Sequence, residues 1–146
     1  MPFRIVADTR EQAVYAFAGP TVHGRLDAGD YSVEGFEHDV AVERKSLPDF
    51  AKTVIHDRER FEQELAKLEH YAAACVVVEA DLDRVLRGAC AHELHGVSPA
   101  SLLGATLDIT LRRRVPVFWC GSRQAAREFT EQYLRMFVRL HAEGAL

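Results

Sequence analysis

The chain has 146 residues, 48% of them hydrophobic and 27% charged, which is enough for one domain with a substantial core. A formal net charge of −4 argues against a protein that coats nucleic acid through a basic surface, though not against one that grips phosphate with a few local arginines. No apolar run approaches a membrane span, so no membrane partner is expected. Met-Pro-Phe-Arg carries no signal-peptide pattern, and Cys75, Cys90 and Cys120 lack CxxC spacing; reduced thiols in a cytoplasmic setting are expected.

Taken in chain order, Phe3 to Ala7 reads as a short buried strand ending at Asp8-Thr-Arg10-Glu11. Val22 to Leu26 and Asp30 to Glu34 read as strands joined by the turn signal Asp27-Ala-Gly29, and Asp39 to Lys45 as the next strand. Their short connections predict an antiparallel meander. The character changes at Ser46, where Ser-Leu-Pro-Asp49 opens a helix through Ile55. A longer helix is expected from Asp57 to Tyr71, with Phe61, Leu65, Leu68 and Ala72 on one side. Cys75 to Ala80 is a continuous apolar strand of the kind buried on both faces, and a short helix, Asp81 to Arg87, follows. Gly88 to Val97 reads as irregular. Ser98 then caps a helix with Pro99 at its first position, running to Arg114, and Val115 to Cys120 is another strand. Ser122 caps the final helix, whose apolar face holds Ala126, Phe129, Tyr133, Phe137 and Leu140. The expected architecture is a single α/β domain over residues 1–146, a mixed sheet of about six strands flanked by helices.

The run Asp39-Val-Ala-Val-Glu-Arg-Lys45 carries the chemistry. As a strand it puts Val40 and Val42 on one face, and Glu43 beside Lys45 on the other. Arg44 falls on the apolar face, where it is expected to bridge to Asp8, Glu11 or Asp49. Asp8, Asp30, Glu43 and Lys45 are expected to converge at one end of the sheet. Hard divalent cations such as Mg²⁺ take one or two carboxylates plus water and substrate phosphate, and a lysine adds a cation without competing as a ligand. That set points to metal-dependent hydrolysis of a phosphodiester. Arg112, Arg113 and Arg114 fit either phosphate contacts or favourable charge at a helix C-terminus. His92 and His95 lack the spacing of a zinc site.

Gly29-Asp30, a spacer, and Glu43-Arg44-Lys45-Ser-Leu-Pro-Asp49 closely resemble the GDx(n)ERKx(3)D signature of the XPF/Mus-type structure-specific endonucleases. The likeness extends through Asp8-Thr-Arg10-Glu11, Arg60-Phe61, the VVVE stretch ending at Glu79, and the helix–strand–helix order from Ser98. It implies a restriction-endonuclease-like PD-(D/E)xK fold and Mg²⁺- or Mn²⁺-dependent cleavage of branched, flap or fork DNA. By matched position, Asp30, Glu43 and the Arg44 main-chain carbonyl would be metal ligands and Lys45 the catalytic lysine. Asp8 would be a ligand or supporting carboxylate, with Arg10, Glu11, Arg44, Asp49 and Arg60 extending the site. The resemblance also implies dimerisation through this domain, with an identical or an inactive partner. Two departures stand out: Glu64 occupies a position where relatives often carry Gln, and no helix-hairpin-helix domain is expected after the last helix, so the DNA-binding half is absent, supplied by a separate DNA-binding partner, or unnecessary. The alternatives are a catalytically silent DNA-binding or dimerisation module of the same fold, and a restriction-like nuclease acting on simple DNA.

Overall fold

The computed structural model describes residues 2–146. Four strands, β1 (Ile5–Asp8), β2 (Thr21–Gly24), β3 (Tyr31–Val33) and β4 (Val40–Lys45), precede α1 (Leu47–Ile55) and α2 (Arg58–Leu68). Then come β5 (Ala73–Val78), α3 (Leu82–Leu86), α4 (Pro99–Asp108), β6 (Val117–Trp119) and α5 (Arg123–Ala142). Among the described residues the six strands form one mixed sheet in the order β2-β1-β3-β4-β5-β6, as the α/β expectation required. β1 pairs parallel with β2 and antiparallel with β3; β3 is antiparallel to β4, and β4, β5 and β6 run parallel.

The expected meander is therefore corrected at β2. Asp27-Ala-Gly29 does not close a hairpin, because the chain leaving β2 passes over the end of β1 and descends on its far side. The Leu26 N–H donates to Asp8 Oδ1 at 2.8 Å during that crossing, and the Asp8 N–H donates to the Asp30 carbonyl at 2.9 Å once it is complete. The long Thr9–Pro20 connection returns the chain to the start of β1, which parallel pairing of β2 demands.

The predicted caps Ser98 and Ser122 form, accepting from the Ser101 and Ala125 N–H groups, and the helix start at Ser46 is capped likewise, by the Asp49 N–H on the Ser46 side chain. Two helix ends differ from expectation. α2 stops at Leu68 rather than Tyr71, and the α-form of the helix after Ser98 stops at Asp108. A π-helical turn, Ile109–Arg113, finishes that segment, with Arg114 left-handed at φ 58°.

Strand alternation sorts the core into two layers. Val40, Val42, Cys75 and Val77 pack with Ala126, Leu134 and Phe137 of α5. Ala41, Val76 and Val78 pack on the opposite face with Phe50, Leu65 and Leu102 of α1, α2 and α4. Each large side chain so buried contributes about 2–3 kcal/mol. Cys75 and Cys90 are buried and Cys120 partly so; burial pushes the Cys120 thiol up to about 11 and Cys75 higher still, which favours the protonated thiol at neutral pH. Among the described residues no helix is long and apolar enough to cross a membrane.

Candidate active site

The antiparallel entry of β3 assembles the site. β1 and β4 end, and β3 begins, at the same end of the sheet, so Asp8, Asp30, Glu43 and Lys45 meet there. Asp30 is held on three sides. Its N–H donates to the Val42 carbonyl at 2.8 Å, its carbonyl accepts from Asp8, and its Oδ2 accepts the Arg44 N–H at 2.7 Å. Gly29 makes the approach possible. Its φ is 78°, and a Cβ there would stand 3.0 Å from Ala41 Cβ and 3.2 Å from the Val42 carbonyl oxygen.

Glu43 and Lys45 share a face as expected, with Lys45 Nζ 3.7 Å from Glu43 Oε2 and 4.9 Å from the centre of the Phe61 ring. Glu43 is only 8% exposed. Burial pushes the Asp30 carboxyl up to about 6, and burial together with the charge of Asp30 pushes Glu43 well above the usual carboxylate range. Two buried carboxylates side by side cannot both ionise cheaply without a positive neighbour, and Lys45 is one charge against two. The main chain adds a third oxygen. Because the Lys45 carbonyl accepts from Glu79 N–H on the β5 side, the Arg44 carbonyl one residue earlier points to the β3 side, where Asp30 lies. Among the described residues no three His, Cys, Asp or Glu side chains form a ready-made metal cage. The donor set instead fits a hard cation that keeps several of its waters.

These residues line a cleft of about 430 Å³ whose walls carry seven acidic side chains, from Asp8 to Glu64, against Arg10, Lys45 and Arg60. Asp8 is there, but its carboxylate is taken up by Arg10 Nε at 2.8 Å and by the N–H groups of Arg10 and Leu26. Burial pushes this carboxyl up, yet those hydrogen bonds outweigh it and hold Asp8 below its ordinary value. Glu11 also lines the cleft; Asp49 and Arg60 are exposed on its rim.

Arg44 lies on the Val40/Val42 face, but its principal partner was not foreseen. Its Nε and Nη2 donate to the two oxygens of Glu79 at 2.7 and 2.9 Å, and Glu11 lies 3.6 Å away; Asp8 and Asp49 do not take part. Glu79 also accepts from the Tyr15 hydroxyl and pairs with Arg123 at 3.4 Å. The register of β4 against β5 explains the pairing: Arg44 stands opposite Val77 across the sheet, so Glu79 shares its face.

Residues 8–133 match the ERCC4 domain. The chain belongs to the ERCC4 domain family. Its fold is similar to that of XPF from Aeropyrum pernix, with 21% identity and a TM-score of 0.71, covering 91% of this chain and 60% of that one. A structure of XPF from Aeropyrum pernix in complex with DNA gives 22% identity, a TM-score of 0.69, and coverage of 93% and 65%. This ERCC4 domain thus spans less than two thirds of those chains. No curated protein gives a match.

Two further placements matter in this ERCC4 domain. Arg112 pairs with Asp108 at 2.7 Å, Arg113 reaches Glu62 on α2 and lies 3.5 Å from Glu69 just past its end, and Arg114 is exposed; none of the three lines the cleft. Glu64 does line it, and its Oε1 accepts the Gly29 N–H at 2.7 Å. Its place four residues after Arg60 on α2, one helical turn along the same face, was the signal for it.

Proposed function

We propose that this ERCC4 domain hydrolyses phosphodiester bonds in DNA with the help of a divalent cation, acting on branched, flap or fork DNA. The observation that carries this reading is the buried Asp30–Glu43 pair beside Lys45, set at joined strand ends in a polar cleft. Asp30, Glu43 and the Arg44 carbonyl would hold Mg²⁺ or Mn²⁺, which when bound polarises the phosphoryl group and acidifies water.

The chain's own residues supply the rest. Lys45, steadied by Glu43 and the Phe61 ring, orients the attacking water and stabilises charge on the pentavalent phosphorus. The water oxygen bonds to phosphorus as the P–O3′ bond breaks opposite it, leaving a 5′-phosphate and a 3′-hydroxyl. Asp8 supports the site by fixing Arg10 and the Leu26 peptide. Arg10 and Arg60 face the cleft from its walls and rim, where they meet flanking phosphates. So acidic a cleft binds DNA weakly by itself, which makes a second copy, an inactive relative or a separate DNA-binding partner part of the proposal.

Purified protein incubated with Mg²⁺ or Mn²⁺ on flap, fork and linear DNA, beside Asp30→Ala and Lys45→Ala, tests this. Cleavage of flap or fork DNA, lost by about 10²-fold or more in both variants, is expected. Cleavage of no substrate at any protein concentration, or equal cleavage by wild type and variants, would overturn the reading.

A further inference from the structure

Glu64 is an acidic group that α2 sends into the cleft, onto the Gly29 N–H next to Asp30. The strand-side polar groups of Asp30 are all committed to the sheet: its N–H to Val42, its carbonyl to Asp8, its Oδ2 to Arg44. The peptide just before it is held from the other side, by Glu64 Oε1 on the Gly29 N–H at 2.7 Å. An uncharged amide oxygen would also accept that hydrogen bond, though more weakly than a carboxylate, so the bond by itself does not require the charge. The negative charge therefore has to be explained separately. Glu64 has no ion-pair partner among the described residues, and its charge acts on the buried Glu43 and on Arg10. Asp30, Glu43 and Glu64 together face a cleft whose cations are Lys45, which pairs with Glu43, and the arginines Arg10 and Arg60.

We propose that Glu64 is a positioning and charge-setting residue for the divalent cation: it pins the Gly29–Asp30 turn to α2, and its charge tightens cation binding while repelling DNA phosphate from the cation-free cleft. The inference rests on the cleft being a cation-dependent nuclease site. It makes ordered binding the outcome, cation first and DNA second. The two halves of the role separate by substitution. Glu64→Gln keeps the hydrogen bond and removes the charge; Glu64→Ala removes both.

The test is calorimetric titration of Mn²⁺ into the cation-free protein, with thermal melting of each variant and binding of flap DNA in EDTA. Glu64→Gln is expected to melt like wild type, to bind Mn²⁺ about tenfold more weakly, and to bind DNA more tightly without cation. Glu64→Ala is expected to weaken Mn²⁺ further and to melt lower. Asp30→Asn serves as the reference. If Asp30→Asn binds Mn²⁺ like wild type, the cation site itself is wrong. If Asp30→Asn loses Mn²⁺ and Glu64→Gln binds it like wild type, the role of Glu64 alone is overturned. Equal Mn²⁺ affinity in Glu64→Gln and Glu64→Ala would remove the positioning half of the proposal.

Discussion

Replacing Asp30 with Asn should stabilise the cation-free protein, and only above mildly acidic pH. The Asp30 carboxyl sits at about 6 in the folded protein against an ordinary value of 3.8, chiefly because it is buried. The folded state therefore holds a proton that the unfolded chain has already released. For a group raised in this way, its contribution to stability is complete below the unfolded value, near pH 4, and is lost as pH rises through about 6. The rise corresponds to about 3 kcal/mol. Asn removes the buried charge while its amide oxygen still accepts the Arg44 N–H that Asp30 Oδ2 accepts now. It also relieves Glu43, part of whose rise comes from the Asp30 charge, so the titration being removed belongs to the pair. Urea denaturation in EDTA near pH 4, 6 and 8 is the assay. Wild type and variant should nearly coincide near pH 4, and the variant should be more stable by up to about 3 kcal/mol near pH 8. Mg²⁺ should raise wild-type stability near pH 8 and leave the variant unmoved. A variant less stable near pH 8, or an advantage equal at every pH, would refute the reasoning.

Glu79→Gln leaves Arg44 half-buried without its bidentate carboxylate and should cost about 3 kcal/mol, read as a lower urea midpoint. The double variant Arg44→Met with Glu79→Leu should be less destabilised than either single one. Gly29→Ala should cost about 2 kcal/mol or more and abolish cleavage, since its Cβ would press on Ala41 and Val42. Gly88→Ala, with φ 82° but open space around the added carbon, should cost only about 1 kcal/mol in the same denaturation assay. Arg60→Ala should lower the salt dependence of flap-DNA binding by about one phosphate contact. Arg112→Ala, which removes an exposed pair with Asp108, should leave both that slope and the stability nearly unchanged.

What was legible in the sequence was local. Alternation within Val40 to Lys45 placed Glu43 beside Lys45, and the structure puts their charges 3.7 Å apart. The serines at 46, 98 and 122 announced helix starts, because a side-chain oxygen three residues before an unpaired N–H is a local bond that needs no tertiary partner. The CVVVEA run announced a buried strand for a similar reason: its composition has only one comfortable environment.

Long-range pairing was different. A Gly-containing turn between two short strands is equally compatible with a hairpin and with a crossing over a neighbouring strand end, and the pairing of β1 with β2 on one side and β3 on the other, with the Asp8–Leu26 and Asp8–Asp30 hydrogen bonds, decides between them. Arg44 was visibly misplaced on an apolar face, yet its partner Glu79 lies 35 positions away on β5 and became readable only through the register of β4 against β5. Glu64 reached the site by the same kind of decision, the docking of α2 over the Gly29 turn. By itself, then, the sequence determined the side chains of the candidate site and the local elements that carry them, since these depend on bonds and periodicities a few residues long. The tertiary structure alone decided which carboxylates stand free beside Lys45 and which are bound to arginine, because burial and charge pairing are properties of neighbours the chain brings together only when folded.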